Sequence, residues 1–211
     1  AIEAACATPG IERVRLGSLE PEQLSEDVIR RMAKQKKLCP QFHLSLQSGC
    51  DATLKRMNRH YTADEYRTIV RNLRAAFENA AITTDIMVGF AGETDEEFAE
   101  SLAFAEEIAF AKVHVFAYSR RPGTKADSMP GQLTRREKEA RARELIALGD
   151  TMEAAFIDGL KGTVHQVLME ENGEGYTGNY VRVRCGAASG ELASVRIVGR
   201  ENKTAIGEVL Q

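Results

Sequence analysis

The residues best suited to chemistry lie in His43-Leu44-Ser45-Leu46-Gln47-Ser48-Gly49-Cys50 and in the segment Leu54-Lys55-Arg56-Met57-Asn58-Arg59-His60-Tyr61-Thr62 that follows. In an extended strand His43, Ser45 and Gln47 share one face and Leu44 and Leu46 the other, so an imidazole, a hydroxyl and a carboxamide stand in one row over an apolar underside. Three other segments repeat the pattern. Arg15, then Asp85 with Met87, then His114 with Phe116 and Tyr118 take the polar phase, while Val14, Leu16, Ile86, Val88, Val113 and Val115 take the apolar one. Each polar group buried without a partner costs a few kcal/mol, on the order of 1–3, so a shared polar phase on neighbouring strands reads as a lumen open to a ligand. Two turns add to this. Gly89-Phe90-Ala91-Gly92-Glu93-Thr94 lets backbone approach a ligand at a strand's carboxyl end, and Tyr118-Ser119-Arg120-Arg121-Pro122-Gly123-Thr124 sets two arginines there, suited to phosphates.

The elements that must hold these residues alternate as far as about residue 160. Strands are expected at Val14 to Leu16, Phe42 to Gln47, Thr84 to Phe90 and Val113 to Tyr118, with helices between, the order of a parallel sheet or βα barrel. Thr62 with Glu65, Thr94 with Glu97 and Thr134 with Glu137 have the spacing of capping boxes and mark three helix starts. Phe98, Leu102, Ala105 and Ile108 recur as one apolar stripe of the second of these helices. From Gly162 onward, short alternating strands broken by glycines predict a small all-β barrel or sandwich, so two domains are expected, 1–161 and 162–211. There Tyr180, Arg182 and Arg184 alternate with Val181 and Val183, giving one strand an aromatic, basic face suited to RNA. Lys55, Arg56, Arg59 and His60 form a second basic group.

The 211 residues, 43% hydrophobic, can bury a real core, and the formal net charge of -3 leaves polyanion binding to such local patches. No apolar run approaches the roughly 20 residues a bilayer span requires, and the start lacks a signal peptide, so a cytoplasmic, membrane-free protein is expected. Cys6, Cys39, Cys50 and Cys185 stand singly, without C-x-x-C spacing, and no complete metal site is predicted.

The wording of five segments carries a resemblance. Arg13-Val-Arg-Leu-Gly-Ser-Leu-Glu-Pro21, Gln47-Ser-Gly, Met57-Asn-Arg-x-Tyr-Thr62, Asp85-Ile-Met-Val-Gly-Phe-Ala-Gly-Glu-Thr94 and Tyr118-Ser-Arg-Arg-Pro-Gly-Thr124 occur in an order and spacing similar to those of the radical S-adenosylmethionine (SAM) methylthiotransferases. Ala91 departs from that family's usual proline. The segment with Gly175-Tyr176-Thr177-Gly178-Asn179-Tyr180-Val181-Arg182-Val183 resembles the family's C-terminal TRAM domain, a small RNA-binding β module. The resemblance implies an α/β partial (β/α) barrel of the radical SAM type, truncated on its N-terminal side, followed by TRAM. Ser45, Cys50, the double arginine before Pro122 and Met129-Pro130-Gly131-Gln132 are most similar to the branch that methylthiolates N6-threonylcarbamoyladenosine at position 37 of tRNA, with the isopentenyladenosine branch as the near alternative.

Further implications follow from the same resemblance. The full-length enzyme would use SAM and two 4Fe–4S clusters, whose cysteine ligands are not in this chain, to make a 5′-deoxyadenosyl radical that abstracts hydrogen from the adenine. The chain alone would then be an inactive fragment. Ser45, Gln47, Gly89, Phe90, Phe116 and Tyr118 would line the SAM pocket. Arg15, His43 and Asp85 would face substrate in the lumen. Lys55, Arg56, Arg59, Arg120, Arg121, Tyr180, Arg182 and Arg184 would contact tRNA. Two other readings stand beside it: a non-catalytic TRAM-type RNA-binding protein, and a βα-barrel lyase or aldolase, which would require a lumenal lysine or metal. A truncated barrel would also leave an edge near Val14 open to self-association.

Overall fold

The computed structural model describes residues 1–210. Its first part contains the helix α1 (Ile2–Ala7), strand β1 (Ser18–Leu19), α2 (Glu26–Ala33), β2 (Gln41–Leu44), α3 (Asp51–Arg56), α4 (Ala63–Ala76), β3 (Ala81–Val88), α5 (Asp95–Ile108), β4 (Lys112–Ala117) and α6 (Arg135–Gly159). The four strands pair in parallel in chain order, β1-β2-β3-β4. All three expected capping boxes are present: Thr62, Thr94 and Thr134 each accept from the backbone of the glutamate three residues on, which binds back to the cap. Apolar spacing then directs the helices onto the sheet. Tyr66, Val70 and Leu73 of α4 and Phe98, Phe104, Ala105 and Ile108 of α5 are buried against Phe42, Leu44, Leu46, Ile82, Ile86 and Val88 in one core, with Leu102 at its margin.

The expected strand at Val14 to Leu16 is absent. Val14 makes a single bridge to Leu38, through Val14 N to Lys37 O and Cys39 N to Val14 O, both 2.8 Å. Regular pairing begins only at Ser18, opposite His43. The reason lies in its neighbours, because Arg13 donates to the carbonyls of Tyr176 (3.1 Å) and Gln166, which draws this segment toward the second part of the chain. The edge strand β1 is two residues long, so it offers little unpaired backbone.

The second part holds β5 (Val164–Met169), β6 (Glu174–Thr177), β7 (Arg182–Arg184), β8 (Leu192–Glu201) and β9 (Thr204–Val209), closed into a barrel in the order β5-β6-β7-β9-β8. Only β7 with β9 is parallel. Val167, Met169, Val183, Val195, Ile197 and Ala205 fill it, and Ile157 and Leu160 at the end of α6 extend that core. Val181 and Val183 are buried while Arg182 and Arg184 are exposed, as alternation requires.

Tyr180, however, is not on the strand. It sits in a turn at φ 66°, an uncommon value for an aromatic residue, held by Tyr180 N to Thr177 O (3.0 Å) and Val181 N to Thr177 Oγ1 (2.9 Å). The turn docks on the first part of the chain, with Asn179 Nδ2 donating to Asn79 O at 3.0 Å. The Tyr180 ring stacks on Tyr176 at 4.7 Å and 20°, and the guanidinium of Arg15 lies 3.8 Å from its centre. No helix among the described residues is long and apolar enough to cross a membrane.

Candidate functional site

The face of the sheet opposite α4 and α5 carries a hydrogen-bonded polar group. His43 is in register with Thr83, and Asp85 with His114. His43 Nδ1 lies 3.0 Å from Thr83 Oγ1, and its Nε2 3.4 Å from Asp85. Gln41 donates to Thr83 at 3.3 Å, and the His43 and His114 rings are 5.9 Å apart. Burial pulls the His114 imidazole below its ordinary value, opposed by Asp85 and reinforced by Lys112 and His43. Phe116 continues the row with 52% of its surface exposed, so the row ends in an open face. Arg15 corrects the sequence reading, since its guanidinium covers Tyr180 rather than joining His43 and Asp85.

Beyond His43 the strand leaves its register. His43 is level with Thr83 but Gln47 with Ile86, so Leu44, Ser45 and Leu46 on one strand oppose Thr84 and Asp85 on the other. This is a parallel β-bulge of one extra residue. Thr84 fills the gap: its hydroxyl donates to Leu44 O (2.6 Å) and accepts from Leu46 N (3.0 Å). Tyr61, buried, reaches Ser45 O (2.7 Å) and Leu46 O (2.9 Å), and Tyr66 reaches Leu44 O (3.0 Å). Pairing resumes at Gln47, whose N donates to Asp85 O (2.8 Å) and whose O accepts from Met87 N (2.9 Å). Gln47 has φ 68°. That left-handed backbone costs a non-glycine residue about 1–2 kcal/mol and takes Gln47 out of the alternation that put it in the polar row.

The turn after β3 is tied from below. Glu93 accepts the Gly89 N–H at 2.7 Å and the Arg141 guanidinium at 2.6 Å, with Arg141 also donating to Asp95 at 2.7 Å. Glu93 and Arg141 are both buried. Gly92 N donates to Gly131 O at 2.8 Å. Phe90 and Tyr118 meet edge to face at 5.1 Å, and Lys138 of α6 stands 4.9 Å over the Tyr118 ring. Tyr118 is therefore buried toward α6, unlike Phe116, and its hydroxyl has no protein partner.

The residues predicted to meet RNA are largely engaged with carboxylates. Arg56 binds Glu97 and donates to Thr53 (3.0 Å), tying α3 to the first turn of α5. Arg59 lies 3.4 Å from Glu20, and Arg120 2.8 Å from Asp127. Arg182 meets Glu174 at 2.9 Å, and Arg184 meets Glu174 at 3.1 Å and Glu201 at 2.7 Å. Tyr180 stacks on Tyr176 and carries the Arg15 guanidinium over its ring, yet 48% of it is exposed, so less of the ring is open to a base than its reading as a stacking platform assumes. Lys55 and Arg121 are exposed. Sequence reasoning missed Thr84, Arg141 and the supporting role of Tyr61. Tyr61 and Glu93 lie within recognised phrases, but nothing local to Thr84 or Arg141 signals their bonds.

Among the described residues no three His, Cys, Asp or Glu side chains are grouped so as to hold a metal, and all four cysteines are free. Burial pushes the Cys39 and Cys50 thiols up, toward the protonated form that ligates metals poorly. The residues present therefore do not fit an iron–sulfur cluster. A polar small molecule fits better, because the His43–Asp85–His114 row and the exposed Phe116 lie on strands where α/β folds receive ligands.

Comparison with known proteins bears on the family and the fold. Residues 2–105 match the family model described as the radical SAM superfamily. Over 201 residues the chain is 38% identical to a tRNA-2-methylthio-N(6)-dimethylallyladenosine synthase of Nocardia farcinica, covering 95% of this chain and 40% of that protein. A protein of the same name from Acidothermus cellulolyticus is 44% identical over 172 residues, covering 81% of this chain and 34% of its own length. The chain thus spans about two fifths or less of these curated relatives. The solved structure of coproporphyrinogen III oxidase from Escherichia coli, described as a radical SAM enzyme, superposes with a TM-score of 0.56 at 17% identity over 66% of this chain and 32% of that one, a likeness of fold. The relatives are named for a dimethylallyl, that is isopentenyl, adenosine. They do not support the threonylcarbamoyl substrate to which the residue wording pointed.

Proposed function

Because this chain belongs to the radical SAM methylthiotransferases, we propose that it is the part of such an enzyme that shapes the SAM site and meets tRNA, in a protein that adds a methylthio group to N6-dimethylallyladenosine. What carries the reading is the agreement of the relatives' names with a polar, ligand-ready row on a radical SAM-type sheet. When bound, SAM would supply the methyl group and, on accepting an electron from an iron–sulfur cluster, the radical that removes the hydrogen, while the inserted sulfur would come from a separate donor. Ser45, Gln47, Gly89, Phe90, Phe116 and Tyr118 would form its site, with Phe116 meeting it from the open face and the buried Phe90–Tyr118 pair holding the end of the sheet beneath. His43 and Asp85 would orient the substrate base. The two 4Fe–4S clusters would be held by residues other than these, and no step is assigned to them. Residues 1–161 would act as the barrel part and 162–211 as the TRAM module. The reaction would take place in the cytoplasm. Lys55 and Arg121 are the predicted RNA contacts best placed to meet phosphates.

A second reading keeps the threonylcarbamoyl substituent, because the row around His43, Thr83, Asp85 and His114 is polar and a dimethylallyl group is apolar. One assay separates the two. Full-length, cluster-loaded enzyme is given SAM and tRNA carrying either substituent, and the nucleosides are examined by mass spectrometry. A methylthio product from dimethylallyladenosine supports the main reading, product only from the threonylcarbamoyl form supports the second, and none from either refutes both.

A further inference from the structure

Gln47 keeps a left-handed backbone that glycine would adopt without cost, and the chain maintains it with a dedicated scaffold rather than relieving it. The Thr84 hydroxyl replaces, on both sides, the ladder bonds that the extra residue removes. Tyr61 takes the two carbonyls, Ser45 O and Leu46 O, that the bulge turns away from β3. Without Tyr61 the Ser45 carbonyl would lie unsatisfied in the core beside Leu44 and Leu46, both fully buried, while Leu46 O would keep the Ser48 N–H at 2.9 Å. Both supports lie away from the open face. Tyr61 comes from the turn before α4, and Thr84 sits on the opposite parity from His43's partners Thr83 and Asp85.

We propose that Tyr61 and Thr84 are positioning residues, which act through the bulge to fix the left-handed conformation of Gln47 and so set the affinity for SAM. Bulges beside active sites commonly re-aim one side chain, and here the re-aimed residue is Gln47. The proposal rests on the function proposed above, which makes this end of β2 part of the SAM site. It also explains why the Gln47-Ser-Gly and Met57-Asn-Arg-x-Tyr-Thr62 segments occur together: the tyrosine of the second holds the backbone entering the first.

The test uses Tyr61→Phe, which removes one oxygen, and Thr84→Val, with Thr84→Ser as the variant that restores the hydroxyl. In the full-length, cluster-loaded enzyme, SAM affinity is measured by equilibrium dialysis and tRNA affinity by filter binding. Thr84→Val and Tyr61→Phe are expected to weaken SAM binding about tenfold with tRNA affinity unchanged, and Thr84→Ser to recover it. On the chain itself, hydrogen exchange of the Gln47 amide, protected by Asp85 O, should quicken at least tenfold in Thr84→Val while the Phe42 and Ile82 amides stay protected. Gln47→Gly, which relieves the strain, should raise stability yet lose SAM. Wild-type SAM binding that is undiminished in folded Thr84→Val and Tyr61→Phe overturns the positioning role alone. No SAM binding by the wild type overturns the function on which it rests.

Discussion

Replacing Arg141 with methionine tests the tie beneath the Gly89 turn. The guanidinium and the Glu93 carboxylate have 10% and 2% of their side-chain surface exposed, so the pair is shielded and its partners are not exchangeable with water. Methionine preserves the apolar stem and deletes only the charge, leaving Glu93 with the Gly89 N–H. Breaking a buried pair from one side costs about 3–5 kcal/mol, and loss of the Asp95 contact adds little because Asp95 is exposed. Adding Glu93→Gln should recover most of the loss, since the amide oxygen still accepts from Gly89 and no charge is buried.

The pH dependence of the same variant has a definite sign. Burial raises the Glu93 carboxyl above its ordinary 4.5, against the opposing pull of the Gly89 N–H and Arg141. Removing Arg141 raises it further. A carboxyl whose folded value lies above its unfolded one stabilises fully below the unfolded value and loses that stability as pH rises through the folded value. Arg141→Met should therefore be hurt most at neutral pH and regain stability toward pH about 5, whereas the double variant should not. Urea midpoints at both pH values measure this. A loss under about 1 kcal/mol at neutral pH, or a pH slope shared by the double variant, would refute the reasoning.

Two further outcomes follow from the site. Because burial depresses His114, its contribution is present above the ordinary 6.5 and lost as pH falls from there through the folded value, so His114→Gln should flatten that stretch of the stability profile. An unchanged profile would refute the assignment of that stretch to His114. A methyl group at Gly49 would come 2.6 Å from Phe104 Cβ and 3.0 Å from two ring atoms, so Gly49→Ala should cost about 1–3 kcal/mol in chemical denaturation; equal stability would mean that α5 yields freely.

What the sequence made legible was local. The threonine–glutamate spacings produced three capped helices, and the alternation of Leu44, Leu46, Ile86 and Val88 marked the buried face of the sheet, because both patterns are decided within a few residues. What it concealed depends on partners far along the chain. The bulge is a relation between two strands whose paired residues are about 40 positions apart, so Gln47 could be read as another member of the row when its backbone is not extended. Arg15 is aligned with the polar phase, yet it lies over Tyr180 of the barrel. The arginines of β7 read as free until Glu174 and Glu201 are brought beside them by barrel closure.

The stack of Arg15, Tyr180 and Tyr176, together with the Arg13 and Asn179 bonds, has a mechanical consequence. A module hung on a bare helix end could sweep a wide arc and hand over cargo at any distance. Riveted at its turn as well as at the end of α6, the barrel is a fixed gauge: its exposed face is held at one span and one angle from the sheet, and the rivet must shear before either can change.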